Sequence, residues 1–248
     1  MRYRSANPVF RKMRQESTAY ASTEQASYSG VVLKSGYLLF IMLLVGMYMY
    51  SQLMNQATLP PYTLGLFIAA PLIAIISIII GMRSLRLAWF FSTIYALSQG
   101  LMLGLISGIY EISFGDGIVA TAMMATVGVF MAMLVLYSSG LFRVTDALRK
   151  VLFAALLGLL FSSLFLIIFS LIGVFNYGQM MGFIFVIVLI SVIVASLYLM
   201  VDFDNIKIMV ESGADKRTEW ILSLGLLVTL VWLYVELLRL IAILRSRR

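Results

Sequence analysis

The residues of this sequence that could do ionic chemistry are the ones that interrupt its apolar runs. Glu236 and Arg239 stand three residues apart in the middle of the run 228–244. On a helix that spacing puts both on one face, close enough to neutralise each other. Asp202 and Asp204 close the apolar run 183–201. Two apart on a helix, they point in different directions, so one of them is expected to face inward. A charge at membrane depth costs about 2.5–3.5 kcal/mol on insertion scales, so such groups turn toward a bundle interior and find partners there. A self-satisfied anchoring pair at 236/239 and a solvated helix end at 202/204 are the structural alternatives to a functional role. The chain has no cysteine and no histidine, which removes disulfides, thiol nucleophiles, His-Cys zinc sites and His-based triads together. What remains is carboxylate chemistry, balanced by Arg and Lys: ion contact and proton exchange.

The elements that must position these groups are membrane-spanning helices. Of 248 residues, 62% are hydrophobic and 12% charged, with a mean hydropathy of +1.02. That is far more apolar surface than one soluble core of this size could bury. The charges gather in short runs between apolar stretches of about twenty residues, the length a helix needs to cross roughly 30 Å of hydrocarbon. The segment 151–174 shows none of the alternation of a transmembrane barrel strand. An all-α polytopic membrane protein is therefore expected, with spans at 36–54, 63–82, 87–110, 117–140, 151–174, 180–201 and 220–243 inside one transmembrane domain, 36–245. Residues 1–35 carry Arg2, Arg4, Arg11, Lys12, Arg14 and Lys34 among polar residues. They are too poor in aliphatics to fold alone and are expected to form a flexible basic tail. The first apolar run lies behind this polar segment, unlike a cleaved signal peptide, so it is expected to stay in the protein.

Lys and Arg counts set an expected orientation. The tail, 83–86, 143–150 and 207–217 are basic, while 55–62, 111–116 and 175–179 have no Lys or Arg. The N-terminus is expected in the cytoplasm. A seventh full crossing then puts Arg245, Arg247 and Arg248 on the outer side, against the rule; a re-entrant last helix would avoid this, but the run 221–244 is long enough to cross, and crossing is the expectation.

Other features read as architecture. Gly100, Gly104 and Gly108 repeat every four residues and give one helix a small face for close packing. Pro71 sits inside the second span, where it removes a backbone hydrogen bond and is expected to kink the helix. Gln99 offers a hydrogen-bonding link between helices. The net charge of +7 lies in the loops and the tail, where it reports topology and attraction to anionic lipid. Nucleic acid is not expected as a partner.

The stretch 201–206, Val-Asp-Phe-Asp-Asn-Ile, is followed by Glu219-Trp220 and by 228–240, Val-Thr-Leu-Val-Trp-Leu-Tyr-Val-Glu-Leu-Leu-Arg-Leu. Together they resemble the C-terminal signature of the Bax inhibitor-1-like membrane proteins, in the bacterial branch. Residues 95–107 around Gln99-Gly100, and Tyr137-Ser-Ser-Gly140 with Arg143-Val-Thr145, are also similar to that family. The likeness covers about 63–245. It implies six helices around a central one, and a pH-modulated calcium or cation leak of a bacterial inner membrane with a role in stress response. It also implies that Asp202 matches the family's helix-six aspartate, Arg83 the arginine ending helix two, and Arg239 the arginine late in helix seven. Asp202 would pair with Arg83 or another cytoplasmic-side cation and close the inner mouth, with weak, transient Ca²⁺ contact and no tightly bound cofactor. The sequence departs from the pattern at Thr229, where calcium-leak relatives carry an aspartate, and at Leu72, where some carry a glutamate. Glu236 lies about two turns from Thr229.

A different function is a non-transporting regulator that binds and restrains a membrane-embedded protease, as some relatives are thought to do, with the tail 1–35 as its handle. An enzyme is not expected. Phe114-Gly-Asp116 resembles the Gly-x-Gly-Asp motif of intramembrane aspartyl proteases only faintly: Ser113 replaces the first glycine, and no helix-borne Tyr-Asp accompanies it.

Overall fold

Buried in lipid, a backbone must satisfy its own polar groups, and an apolar segment of some twenty residues can do so only as a helix. The computed structural model describes residues 24–55, 61, 63–173 and 177–246. Among the described residues there are seven helices: α1 (Tyr28–Met54), α2 (Thr63–Arg83), α3 (Ala88–Phe114), α4 (Ile118–Ser138), α5 (Asp146–Leu171), α6 (Tyr177–Glu211) and α7 (Thr218–Ser246). All seven are long and apolar enough to cross a membrane, so the protein is a multi-pass membrane protein. They alternate in direction. The entry end of the bundle holds residues 24–27 and the turns 84–87, 139–145 and 212–217; the far end holds 115–117 and the end of α7.

Several helices outrun the spans expected from hydropathy, and capping explains where they stop. α1 begins at Tyr28, well before residue 36, because Ser27 is its N-cap and accepts a hydrogen bond from the Gly30 N–H at 3.0 Å. α5 begins at Asp146 because Thr145 accepts from the Leu148 N–H at 3.2 Å and Asp146 complements the helix dipole. α6 continues ten residues past 201, so Asp202 and Asp204 lie within a helix and do not end it. α2 runs unbroken through Pro71.

The reading of 1–35 as a tail needs correction over its last part. Residues 1–23 lie outside the described residues. Residues 24–27 lie against the α6–α7 turn: the Ala26 N–H donates to Ala214 O at 2.8 Å, the Lys216 N–H to Glu24 O at 3.2 Å, and Lys216 Nζ pairs with Glu24 at 2.6 Å. That pairing raises the Lys216 ammonium above the usual lysine range.

α7 is the central helix. α1, α2, α3, α4 and α6 touch it; α5 packs on α6 alone, outside the ring. The main core joins Leu38 of α1 and Tyr95 and Ala96 of α3 to Leu224, Leu227 and Leu238 of α7. A second joins Leu199 and Phe203 of α6 to Leu233 and Leu237. The glycine stripe performs the expected packing. A Cβ on Gly100 would stand 2.7 Å from Met42 O, one on Gly104 would meet Gly46 O, and one on Gly108 would stand 2.5 Å from the Leu53 side chain. α1 thus lies directly on α3.

The α3–α4 turn shows that α7 runs the full length of the bundle and does not turn back. Arg245 Nη1, at the last turn of α7, donates to Phe114 O at 3.3 Å, Gly115 O at 3.1 Å and Asp116 O at 3.2 Å. A cation there satisfies carbonyls left open at the C-terminus of α3 and opposes the negative end of its dipole. The basic residue that conflicts with the loop-charge rule is thus used locally. The same turn carries a carboxylate the sequence reading overlooked. Glu111, in the last turn of α3, is buried and accepts from the backbone N–H of Gly117 and, at 3.0 Å, from that of Val119, capping α4, whose own N-cap is a glycine.

Candidate functional site

The polar segment 202–205 of α6 sits where α4, α5 and α7 converge, held by its apolar neighbours: Val201, Phe203 and Ile206 are buried against the bundle. This packing fixes the rotation of α6 and sends the two carboxylates to different places. Asp204 accepts from the Tyr137 hydroxyl of α4 at 3.0 Å and pairs with Arg149 of α5 at 2.5 Å. Arg149 also donates to Asn205 Oδ1 at 2.8 Å. Asp202 turns toward α7, where Thr229 is its polar neighbour, the Thr229 hydroxyl donating to Gly225 O at 3.3 Å. Its Oδ2 is buried with no hydrogen-bond partner among the described residues. Nine residues separate Asp202 from the end of α6, a depth of roughly 14 Å. The Asp202 carboxyl is therefore a half-buried acid beside Thr229, with one oxygen closed off inside the bundle.

Arg83 and Asp202 are not brought together. Arg83 is exposed at the end of α2, and α2 does not touch α6. The cation whose charge reaches Asp202 is Arg149, which lies within reach because α5 packs along α6 from its first turns, through Leu148 and Leu152. Sequence reasoning counted Arg149 only as a loop charge; with the α5 boundary set at 151 it had no helix to sit on.

Glu236 and Arg239 do form the expected same-face pair, Nη1 to Oε2 at 3.5 Å, with the glutamate buried and the arginine partly exposed. Glu236 lies seven residues beyond Thr229 on α7, roughly 10 Å further along the axis. It stands at a different height from Asp202 and does not take the place of the second aspartate.

A further buried ion pair closes the entry end. Glu219, wholly buried in the first turn of α7, accepts from the Ser27 N–H at 2.8 Å and from the Ser27 hydroxyl at 3.1 Å, and pairs with Lys34 of α1 at 2.5 Å. The Lys34 ammonium also lies 5.2 Å from the centre of the Trp220 ring. Gly30 makes room for this carboxylate, because a Cβ there would overlap it and force the Glu219 side chain to shift. Lys34, assigned to the tail from sequence, is thus an internal cation. Glu219-Trp220 stood in the sequence only as a signature; a glutamate in the first turn of an apolar helix with a lysine in the second turn of another is the signal that could have exposed the pair.

Beside this polar junction a groove of about 1550 Å³ opens between α1 and α4, with Asp204 at its entry end and Glu111 at its far end. Asp202 faces away from it. Among the described residues no group of three or more acidic side chains is arranged to hold a metal ion.

A seven-helix membrane bundle around a central helix, with a half-buried acid where its sixth and seventh helices meet, defines the class of protein. A family model described as Bax inhibitor 1 like matches residues 7–246. The chain belongs to that family. No curated protein matches it.

Proposed function

We propose that this protein is a pH-modulated calcium or cation leak of a bacterial inner membrane, acting without catalysis, with its entry end and N-terminus in the cytoplasm. One observation carries the reading: the Asp202 carboxyl within the α6–α7 seam, with a buried oxygen that has no hydrogen-bond partner among the described residues. An ionisable group in hydrocarbon is costly and marks an ion or proton pathway unless it is neutralised in place. The groups facing it are Thr229 of α7, Tyr198 of α6 and, through its charge, Arg149 of α5. Arg149 is already committed to Asp204 and Asn205. Protonation of Asp202, or weak, transient Ca²⁺ contact at its open oxygen, shifts the balance at the α6–α7 seam between a closed and an open bundle. Arg149, and not Arg83, is the cation whose charge reaches the acid.

The test is calcium-indicator flux into liposomes across pH 6–8. Wild type is expected to leak with a pH dependence that Asp202→Asn abolishes, while Glu236→Gln, whose residue is paired elsewhere, leaves it intact. Flux unchanged in a normally inserted Asp202→Asn protein would sink the reading. Because the chain lacks cysteine, single cysteines at Gly213 and Asp116, labelled from one side of sealed vesicles, test the orientation.

Absence of flux under every condition would favour a regulator that restrains a membrane-embedded protease. The observation behind that reading is the attachment of residues 24–27 to the α6–α7 turn. It sends the basic tail off from a fixed point on the bundle, and deleting residues 2–23 is then expected to abolish capture of the partner.

A further inference from the structure

We propose that the groove between α1 and α4 binds one anionic phospholipid, seated with its phosphate at the entry end and its acyl chains along the groove. α1 and α4 do not touch. Each packs on α3 and α7, which leaves between them a groove of about 1550 Å³ whose length is lined mainly by apolar side chains such as Leu39, Met42, Met123 and Leu230. Its rim is open, with Val32, Met47 and Val127 exposed.

The charges single out one kind of occupant. Four charged residues line the groove: Arg143, Asp204 and Lys207 at the entry end, and Glu111 at the far end. Asp204 is neutralised by Arg149, and Glu111 is committed to the backbone N–H groups that start α4. Arg143 and Lys207 form no ion pair among the described residues. The cations that line the groove therefore lie wholly at its entry end, where Glu211 stands nearby at Tyr28, and the negative charge of Glu111, held by backbone N–H groups, lies at its far end. Basic pockets between membrane helices suit anionic head groups.

Below that end lies an unused polar group. Ser35 lines the groove at 8% exposure, and its Oγ has no hydrogen-bond partner among the described residues. It stands seven residues along α1 from Tyr28, roughly 10 Å below the mouth. Turned toward the groove, that hydroxyl, closed off in the present conformation, would find an acceptor in an ester carbonyl beneath a phosphate held by Arg143 and Lys207. Cations at the mouth, a hydroxyl below them and apolar walls beyond follow the order of phosphate, ester and chain in a phospholipid.

The experiment is native mass spectrometry of the full-length protein in detergent, titrated with phosphatidylglycerol and with phosphatidylcholine. Wild type is expected to retain one phosphatidylglycerol with a preference on the order of twentyfold, the combined effect of two cations. Arg143→Gln with Lys207→Gln should bring that preference to within about threefold. Gly36→Trp should expel the lipid, since Gly36 lines the groove and a Cβ there meets no heavy atom within 4 Å. Should the tryptophan variant fail to insert, the paired glutamine variant decides alone, its side chains being exposed. Equal affinity for the two lipids in wild type, or an undiminished preference in the paired variant, would overturn the proposal. So would disulfide-linked dimers of Met123→Cys that phosphatidylglycerol does not suppress, which would give the groove to a second copy.

Discussion

The carboxyl of Asp202 on α6 faces the hydroxyl of Thr229 on α7, and its Oδ2 is left without a hydrogen-bond partner among the described residues. The two residues belong to separate stretches of the family signature. They meet because both lie at a similar depth from the entry end, nine residues before the end of α6 and eleven after the start of α7.

The Thr229 hydroxyl donates to Gly225 O at 3.3 Å, and removing it takes away the polar neighbour of the acid. Thr229→Val is expected to destabilise the protein by about 1–3 kcal/mol, the usual loss when a buried polar group is orphaned. The loss should shrink in an Asp202→Leu background, where no carboxyl remains to be satisfied. Thermal unfolding in detergent of the four proteins in this cycle measures the coupling. Thr229→Asp tests the same contact in function: two carboxylates in contact share a proton, so the leak should change more steeply between pH 6 and 8 than in wild type.

Lys34 and Glu219 form a buried pair, and breaking one side leaves an uncompensated charge. Lys34→Met is expected to cost about 3–5 kcal/mol. Adding Glu219→Gln should recover most of it, because the amide still accepts from Ser27 without carrying charge. A double variant no more stable than Lys34→Met alone would show that the pair is not what closes the entry end.

Gly104 lies directly on the backbone of Gly46. Gly104→Val is expected to force α1 away from α3 and to lower stability by about 1–3 kcal/mol, while Gly128→Val, where a Cβ meets nothing within 4 Å, should be close to neutral. Unfolding followed by tryptophan fluorescence distinguishes the two sites.

At the far end, Arg245→Gln and Glu111→Gln each remove a charge that caps a helix terminus. Losses of about 1–2 kcal/mol are expected for each. Proteolysis at the 115–117 turn should accelerate in both. An unchanged cleavage rate in Arg245→Gln would mean that its contacts with the turn carbonyls do not hold the turn in the membrane.

Much of this architecture was legible in the sequence because it depends on neighbouring residues. Seven apolar runs had to become helices, since lipid offers a backbone nothing to bond with. The Gly100, Gly104 and Gly108 stripe declared a packing face, and the spacing of Glu236 and Arg239 declared a pair, because helical geometry alone brings residues three and four apart together. The helix limits were less legible. Hydropathy marks where lipid begins, while Ser27, Thr145 and the buried residues around Asp202 decide how far each helix continues beyond it.

What only the tertiary structure decided is which distant group meets which charge. Lys34 and Glu219 stand 185 residues apart, Arg149 and Asp204 stand 55 apart, and nothing local distinguishes Arg149 from Arg83 as the cation beside the α6 acids. Apolar surface is attracted without direction, so composition alone placed the chain in the membrane. A charge or hydroxyl in hydrocarbon is satisfied by one partner at one distance, and that partner is set by how the helices rotate and pack against α7.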